Sequence, residues 1–226
     1  PNHIRVFSQL ADSRCLMCAD IDEARLKAVK AMFPSVEVTK DYRALLADPR
    51  IEAVCIAAPT KYHYKFSQEA LAAGKHVLCE KPLAMTYEEC MDLKAASVKA
   101  GKSLMVGHVF VFNAGIRWVR EYIASGEVGR IYYAHSERTN LGPFRYDVNA
   151  LWDLAPHDIA IFDYLMGESA VSTSARGLKC LGNTLEALAF ATLDYPGGKL
   201  ANIHVSWADP RKVRQLTIVG EKKMIV

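Results

Sequence analysis

The chain has little of what would direct it to a membrane, to nucleic acid or to an oxidising compartment. Its apolar stretches, such as Ala53–Pro59, are far too short to span a bilayer. No basic segment followed by an apolar one opens it, so no secretory leader is expected. Lys and Arg are scattered among Asp and Glu for a formal net charge of +3, and no basic stripe points to nucleic acid. The cysteines, at positions 15, 18, 55, 79, 90 and 180, lack the spacing of a disulfide framework. Cys15 and Cys18 make a single C-x-x-C, but no second pair supplies further ligands, and no metal is expected. The two also fall in an expected strand, Cys15–Ala19, where residues three apart face opposite ways. Buried, reduced thiols and a cytoplasmic location are the expectation. Internal repeats and low-complexity segments are absent too.

What is there is an alternation of helices and short apolar strands. His3–Leu10 reads as a short amphipathic helix and Arg14–Asp20 as a strand. Asp22 then caps a helix that Pro34 ends. Val36–Thr39, Ala53–Ala58, His76–Cys79 and Ser103–Val109 follow as strands, with Ala53–Ala58 expected to be fully buried. Helices over Asp41–Ala47, over Tyr64–Ala73 and from the capping box Thr86-x-x-Glu89 to Gly101 separate them. This pattern predicts a parallel sheet covered on both faces, a Rossmann-type doubly wound α/β domain over residues 1–108. Such a fold begins with a strand and a Gly-rich turn, whereas this chain opens inside the first helix. The first strand and phosphate loop are therefore expected to be missing.

From 109 to 226 the texture is different. Asn113 caps a helix ended by Gly126, and Arg130–Glu137 alternates as a strand. A loop, Thr139–Ala150, leads to a helix from about Asp153 to Met166. Leu185–Tyr195 and Lys199–Trp207 flank Pro196-Gly197-Gly198, a hairpin signal, and Val213–Val219 with Lys223–Val226 suggest a second hairpin. Helices followed by a run of antiparallel strands predict a separate α+β domain.

The chemistry-bearing residues lie at strand exits and around one helix start. Asp20 ends the second expected strand, about 20 residues from where the glycines would stand, the spacing of an acid that binds a cofactor's ribose hydroxyls. That reading favours NAD over NADP, although Arg25 a turn later keeps NADP in play; a helix-capping Asp is the alternative. Ala58-Pro59-Thr60 and His63 follow a buried strand and either border a cofactor or merely cap a helix. Glu80-Lys81-Pro82 sits at the same edge: Lys81 is placed to steady an oxyanion, or is half of a surface ion pair. Asp153 and His157, four apart, share a helix face, which suits a carboxylate-supported general base. Alternatively Asp153 is only the N-cap, with His157 exposed. Pro156 is read as placing both at a helix start, and Asp158 and Asp163 as solvated charges. The loop Gly142–Asn149 carries Arg145, Asp147 and Asn149 just before that helix; Arg145, Asn149 and His108 are candidate substrate contacts, Arg145 being suited to pair with a phosphate, or the segment is an ordinary surface loop.

Taken together, HVLCEKPLA (His76–Ala84), APTKYH (Ala58–His63), LAAGK (Leu71–Lys75), SGEVGRI (Ser125–Ile131) and WDLAPHDIAI (Trp152–Ile161) resemble the Gfo/Idh/MocA oxidoreductase family along essentially the whole chain. The resemblance implies a Rossmann domain joined to a domain with an open, mainly antiparallel sheet. It also implies hydride transfer between a nicotinamide cofactor and a hydroxyl carbon of a sugar, cyclitol or sugar nucleotide. By the same token His157 takes the hydroxyl proton, Asp153 orients it, Lys81 steadies the developing oxyanion, and Glu80 and Asp20 face ribose hydroxyls. The segment LGPFRYDVNALWDLAPHD is most similar to members acting on nucleotide-linked sugars. A homo-oligomer is implied, with no nucleic-acid or membrane partner. The chain departs from the pattern in lacking the Gly-rich turn and the C-terminal strands, so weak cofactor binding by this segment is expected. Two other readings on the same fold are a non-catalytic NAD-binding regulator and a cofactor-recycling oxidoreductase.

Overall fold

The computed structural model describes residues 1–180, 182 and 184–226, which divide into two units, Pro1–Gly107 and His108–Val226. The first unit alternates throughout: α1 (Asn2–Gln9), β1 (Met17–Ala19), α2 (Glu23–Met32), β2 (Glu37–Thr39), α3 (Arg43–Ala47), β3 (Ala53–Ile56), α4 (His63–Ala72), β4 (His76–Cys79), α5 (Tyr87–Ala100) and β5 (Leu104–Val106). A 3-10 turn, Thr60–Tyr62, leads into α4. Every strand pair here is parallel, in two ladders: β1 with β2, and β3–β4–β5. Each ladder has its own apolar cluster, Ile4, Val29 and Val36 for the first and Ile56, Leu71, Val77 and Leu93 for the second. This is the Rossmann-type half of the expected fold.

Local chemistry sets the helix ends. The Asp22 carboxylate accepts from the main-chain N–H groups of Ala24 and Arg25 at the start of α2. At α5 the capping box forms in full, Thr86 accepting from the Glu89 N–H while Glu89 reaches back to the Thr86 N–H. Two expectations need correction. The strand β1 starts at Met17, so Cys15 lies before it and the opposite-faces argument does not apply to the C-x-x-C. Only three residues find partners, because β2 is itself three residues long. The strand β3 stops at Ile56 and is not fully buried: Ala53 and Cys55, alternate residues on one face, are exposed.

The second unit runs through a 3-10 turn (Val109–Phe112), α6 (Ala114–Ala124), β6 (Ile131–Leu141), α7 (Ala150–Met166), β7 (Ser172–Leu178), β8 (Leu188–Tyr195), β9 (Lys199–Ser206), β10 (Ala208–Gly220) and β11 (Met224–Ile225). Six strands form one sheet in the order β11-β10-β6-β9-β8-β7, antiparallel except for the central parallel pair β6–β9. The β8–β9 hairpin turns at Pro196–Gly198, where Gly197 and Gly198 have φ of 74° and 77°, a region costly for residues with a Cβ. Alternation in the strands aims Ala134 and Arg138 of β6, Ala191 and Leu193 of β8, and Ala201 and Ile203 of β9 at one face. There they join Leu154, Ile161, Phe162 and Leu165 of α7 in a single core.

Four departures concern this unit. The strand β6 continues through Thr139 to Leu141, into the expected loop, because β10 and β9 extend the pairing that far. The edge strand β7 is unforeseen; all seven of its residues are exposed, so no apolar alternation marks it. The helix α7 starts at Ala150, capped by Asn149, which puts Pro156 inside the helix, where it offers no N–H to the Trp152 carbonyl. Asp158 and Asp163 are not solvated charges. Asp158 is 3% exposed and takes a two-pronged bond from Arg138, itself 5% exposed, at 2.9 Å from Nε and 2.8 Å from Nη2. Asp163 accepts from the Tyr195 hydroxyl at 2.7 Å.

Breaking a buried pair leaves an uncompensated charge in the core, whereas removing both charges does not. Asp158→Ala is expected to destabilise the protein by about 3–5 kcal/mol in urea titration, and the double change Arg138→Met, Asp158→Leu by much less. A single variant as stable as the double would contradict this account.

Candidate active site

In a parallel α/β sheet the carboxyl ends of the strands all open to one edge, and every candidate of the first unit sits there. Asp20 directly follows β1. Its main-chain N–H donates to the Thr39 carbonyl (3.2 Å), fixing the carboxylate at the end of the ladder. One carboxylate oxygen accepts from the Asp22 N–H at 2.9 Å, and Arg25 approaches the other at 3.5 Å. The α2 cap is therefore Asp22, and Asp20 keeps a partly exposed carboxylate. Glu80 follows β4, its N–H donating to the Ile56 carbonyl at 2.9 Å. His3 Nε2 lies 2.8 Å from its carboxylate. A Cβ on Gly107 would lie 3.0 Å from Glu80 Oε2, so the glycine leaves room for this carboxylate beside the β5 exit. Lys81 comes next, half-buried, with a cis peptide to Pro82. Ala58 and Pro59 form the β3 exit.

Thr60 and His63 do not line an open surface as expected: each is 1% exposed. Both ring nitrogens of His63 face main-chain carbonyl oxygens, Pro82 from Nδ1 and Ala58 from Nε2, each at 2.7 Å. The imidazole is occupied by the protein itself, so its assignment as a cofactor contact is corrected.

In the second unit α7 supplies the main group. Asp153 and His157 are half-buried, four residues apart and on one side of the helix, next to the core stripe. Arg145 Nη1 donates to Asp153 at 3.0 Å, and the same guanidinium grips Asp147 through Nε (2.9 Å) and Nη2 (2.6 Å). The Asp147 carboxylate raises the Arg145 pKa. Arg145 is thus committed to two carboxylates and not set aside for a phosphate. The His157 ring meets Phe110 edge-on at 4.7 Å between centroids, and the Arg138 guanidinium lies 4.8 Å over the same Phe110 ring. His108 immediately precedes the turn carrying Phe110.

Asn149, expected to touch substrate, is the N-cap of α7. Its Oδ1 accepts from the Trp152 N–H at 2.9 Å and its Nδ2 donates to Glu186 at 3.1 Å. Asp153 is accordingly not the cap. Reasoning from sequence missed Phe110, Arg138 and Gly107 as neighbours of the candidates, and gave Asp147 no role. Asp147 had a signal, an acid two residues from Arg145 in a polar loop.

A family model described as an oxidoreductase family with an NAD-binding Rossmann fold matches residues 1–108, and the GFO/IDH/MocA C-terminal domain model matches 116–226. With the two matches covering nearly its whole length, the chain belongs to the Gfo/Idh/MocA oxidoreductase family. Over 129 residues it is 41% identical to a 1-carboxy-3-chloro-3,4-dihydroxycyclohexa-1,5-diene dehydrogenase of Comamonas testosteroni, covering 56% of this chain and 32% of that protein. Over 177 residues it is 34% identical to inositol 2-dehydrogenase of Pseudomonas fluorescens (strain SBW25), covering 76% and 52%. The chain thus spans about half or less of the length of these two curated relatives. Among solved structures, the WlbA dehydrogenase from Bordetella pertussis, in complex with NADH and UDP-GlcNAcA, superposes with a TM-score of 0.89 at 25% identity. That match covers 97% of this chain and 68% of the other.

The capping role of Asn149 has its own test. Asn149→Ala is expected to cost about 1 kcal/mol and to speed amide exchange in the first turn of α7. Unchanged exchange there would count against the cap.

Proposed function

We propose that the protein transfers a hydride between a nicotinamide cofactor and a hydroxyl-bearing carbon of a sugar, cyclitol or nucleotide-linked sugar. The observation that carries the reading is the placement of Asp153 and His157 four residues apart on one side of α7, with Arg145 bonded to the first and Phe110 against the second. Membership of the family supports it.

The residues at the strand exits fit a dinucleotide. Asp20 and Glu80 present carboxylates at the carboxyl edge of parallel ladders, and Gly107 leaves the space beside Glu80 that a Cβ would fill. Carboxylates accept hydroxyl hydrogen bonds and repel phosphate, so this pair suits the ribose diols of NAD better than the 2′-phosphate of NADP. When bound, the nicotinamide supplies or accepts the hydride. The chain's own work is proton handling and placement. His157 takes the proton of the substrate hydroxyl, as an imidazole does efficiently near neutral pH. Asp153, held by Arg145, keeps the ring turned to that hydroxyl and stabilises its protonated form. Lys81, at the β4 exit, donates to the oxygen that gains negative charge. His108 lies beside the same aromatic turn as substrate contact. A second copy of the chain is the expected partner, on the sheet face that exposes Tyr133, Phe190 and Leu200.

The test is reduction of NAD by the intact protein against a panel of inositols, free sugars and UDP-sugars. With an active substrate, His157→Ala is expected to lower kcat/KM by about 10²–10⁴-fold, and Lys81→Ala by about 10²–10³-fold. A fully active His157→Ala enzyme would sink the assignment.

A further inference from the structure

His63 stands between the two loops that leave adjacent strands. Hydrogen bonding between β3 and β4 ends with the Glu80 N–H on the Ile56 carbonyl. Beyond that point the chains separate, one to Ala58 and the other to Lys81 and Pro82. The His63 ring bridges them, Nε2 at 2.7 Å from the Ala58 carbonyl oxygen and Nδ1 at 2.7 Å from the Pro82 carbonyl oxygen. A carbonyl oxygen only accepts, so the ring is the donor in this bridge. His63 is 1% exposed, so the bridge lies inside the protein.

We infer that His63 is a positioning residue for Lys81: its buried imidazole bridges the Ala58 and Pro82 carbonyls and so fixes where the Lys81 main chain leaves the sheet. Lys81 immediately precedes one of the clamped residues and lies two residues past Cys79, the last paired residue of β4. The inference rests on the reading of Lys81 as the group that steadies the oxyanion.

Two measurements test it on the intact protein. In ¹⁵N-histidine spectra a ring N–H of His63 is expected to be visible and slow to exchange with water; exchange as fast as that of an exposed histidine would overturn the clamp without any variant being made. The second is a cycle of His63→Gln, His63→Leu and Lys81→Ala, read as separate kcat and KM values. Small displacements of a catalytic group cost rate, so His63→Leu is expected to lower kcat by about 10- to 100-fold with KM for NAD little changed, and His63→Gln to recover part of it. In the Lys81→Ala background the same change is expected to cost almost nothing, since there is then no amine to misplace. Equal losses in both backgrounds would overturn the positioning role. Full activity of Lys81→Ala alone would instead refute the underlying reading of Lys81, and the spectra would still decide whether the clamp exists.

Discussion

The buried contact between Arg138 of β6 and Asp158 of α7 decides how the helix is turned on its sheet. Asp158 belongs to the stripe Ala150, Leu154, Asp158, Ile161, Leu165 that faces the core, and only the two-pronged bond from Arg138 makes a carboxylate tolerable there. His157 is the preceding residue, so the rotation that satisfies Asp158 also sets the direction in which His157 and Asp153 leave the helix. A buried pair of this kind adds little net stability over apolar packing, but it makes other settings of the helix costly. Two further ties fix the ends. Asn149 and Glu186 hold the first turn, and Asp163 with Tyr195 the last turns. Burial and the Asp163 carboxylate both push the Tyr195 hydroxyl pKa up, so it remains a donor.

The first unit solves a different problem, the closure of strand exits that have no ladder bonds of their own. Side chains and backbone amides do this one exit at a time. The Asp20 N–H bonds to Thr39, Glu80 is met by His3, and His63 joins the β3 and β4 exits. At the opposite end Lys75 is buried and spends its ammonium on the carbonyls of Asp48 and Ile51, at 2.8 Å and 2.7 Å. That bond fixes the turn that feeds β3. Polar groups thus pin the chain at both ends of short strands whose apolar clusters are small.

Much of this was legible from residue order. The alternation of α and β, the capping box at Thr86, the hairpin at Pro196–Gly198 and the four-residue spacing of Asp153 and His157 are local signals, and local geometry honours them. What escaped depends on partners distant in sequence. Asp158 could be placed on an apolar stripe by spacing alone, yet its counter-ion lies 20 residues upstream in a strand whose register only the sheet defines. The strand β7, Ser-Thr-Ser-Ala-Arg-Gly-Leu, has no periodicity to read, because it is held by backbone pairing to β8 and buries no side chain. His63 looked like a cleft residue because it follows a strand exit; its burial comes from the Pro82 loop folding over it.

The parallel β6–β9 pair at the centre of the second sheet has a consequence for the entropy cost of assembling the unit. It joins residues as far apart as His135 and Asn202, 67 positions along the chain, with α7, β7 and β8 in between. The β8–β9 hairpin closes across three residues and needs none of that loop. Loop closure therefore costs less entropy for the hairpin than for the central pair. The pairing of β6 with β9, and with it the placing of Arg138 against α7, thus carries the larger closure entropy of the two.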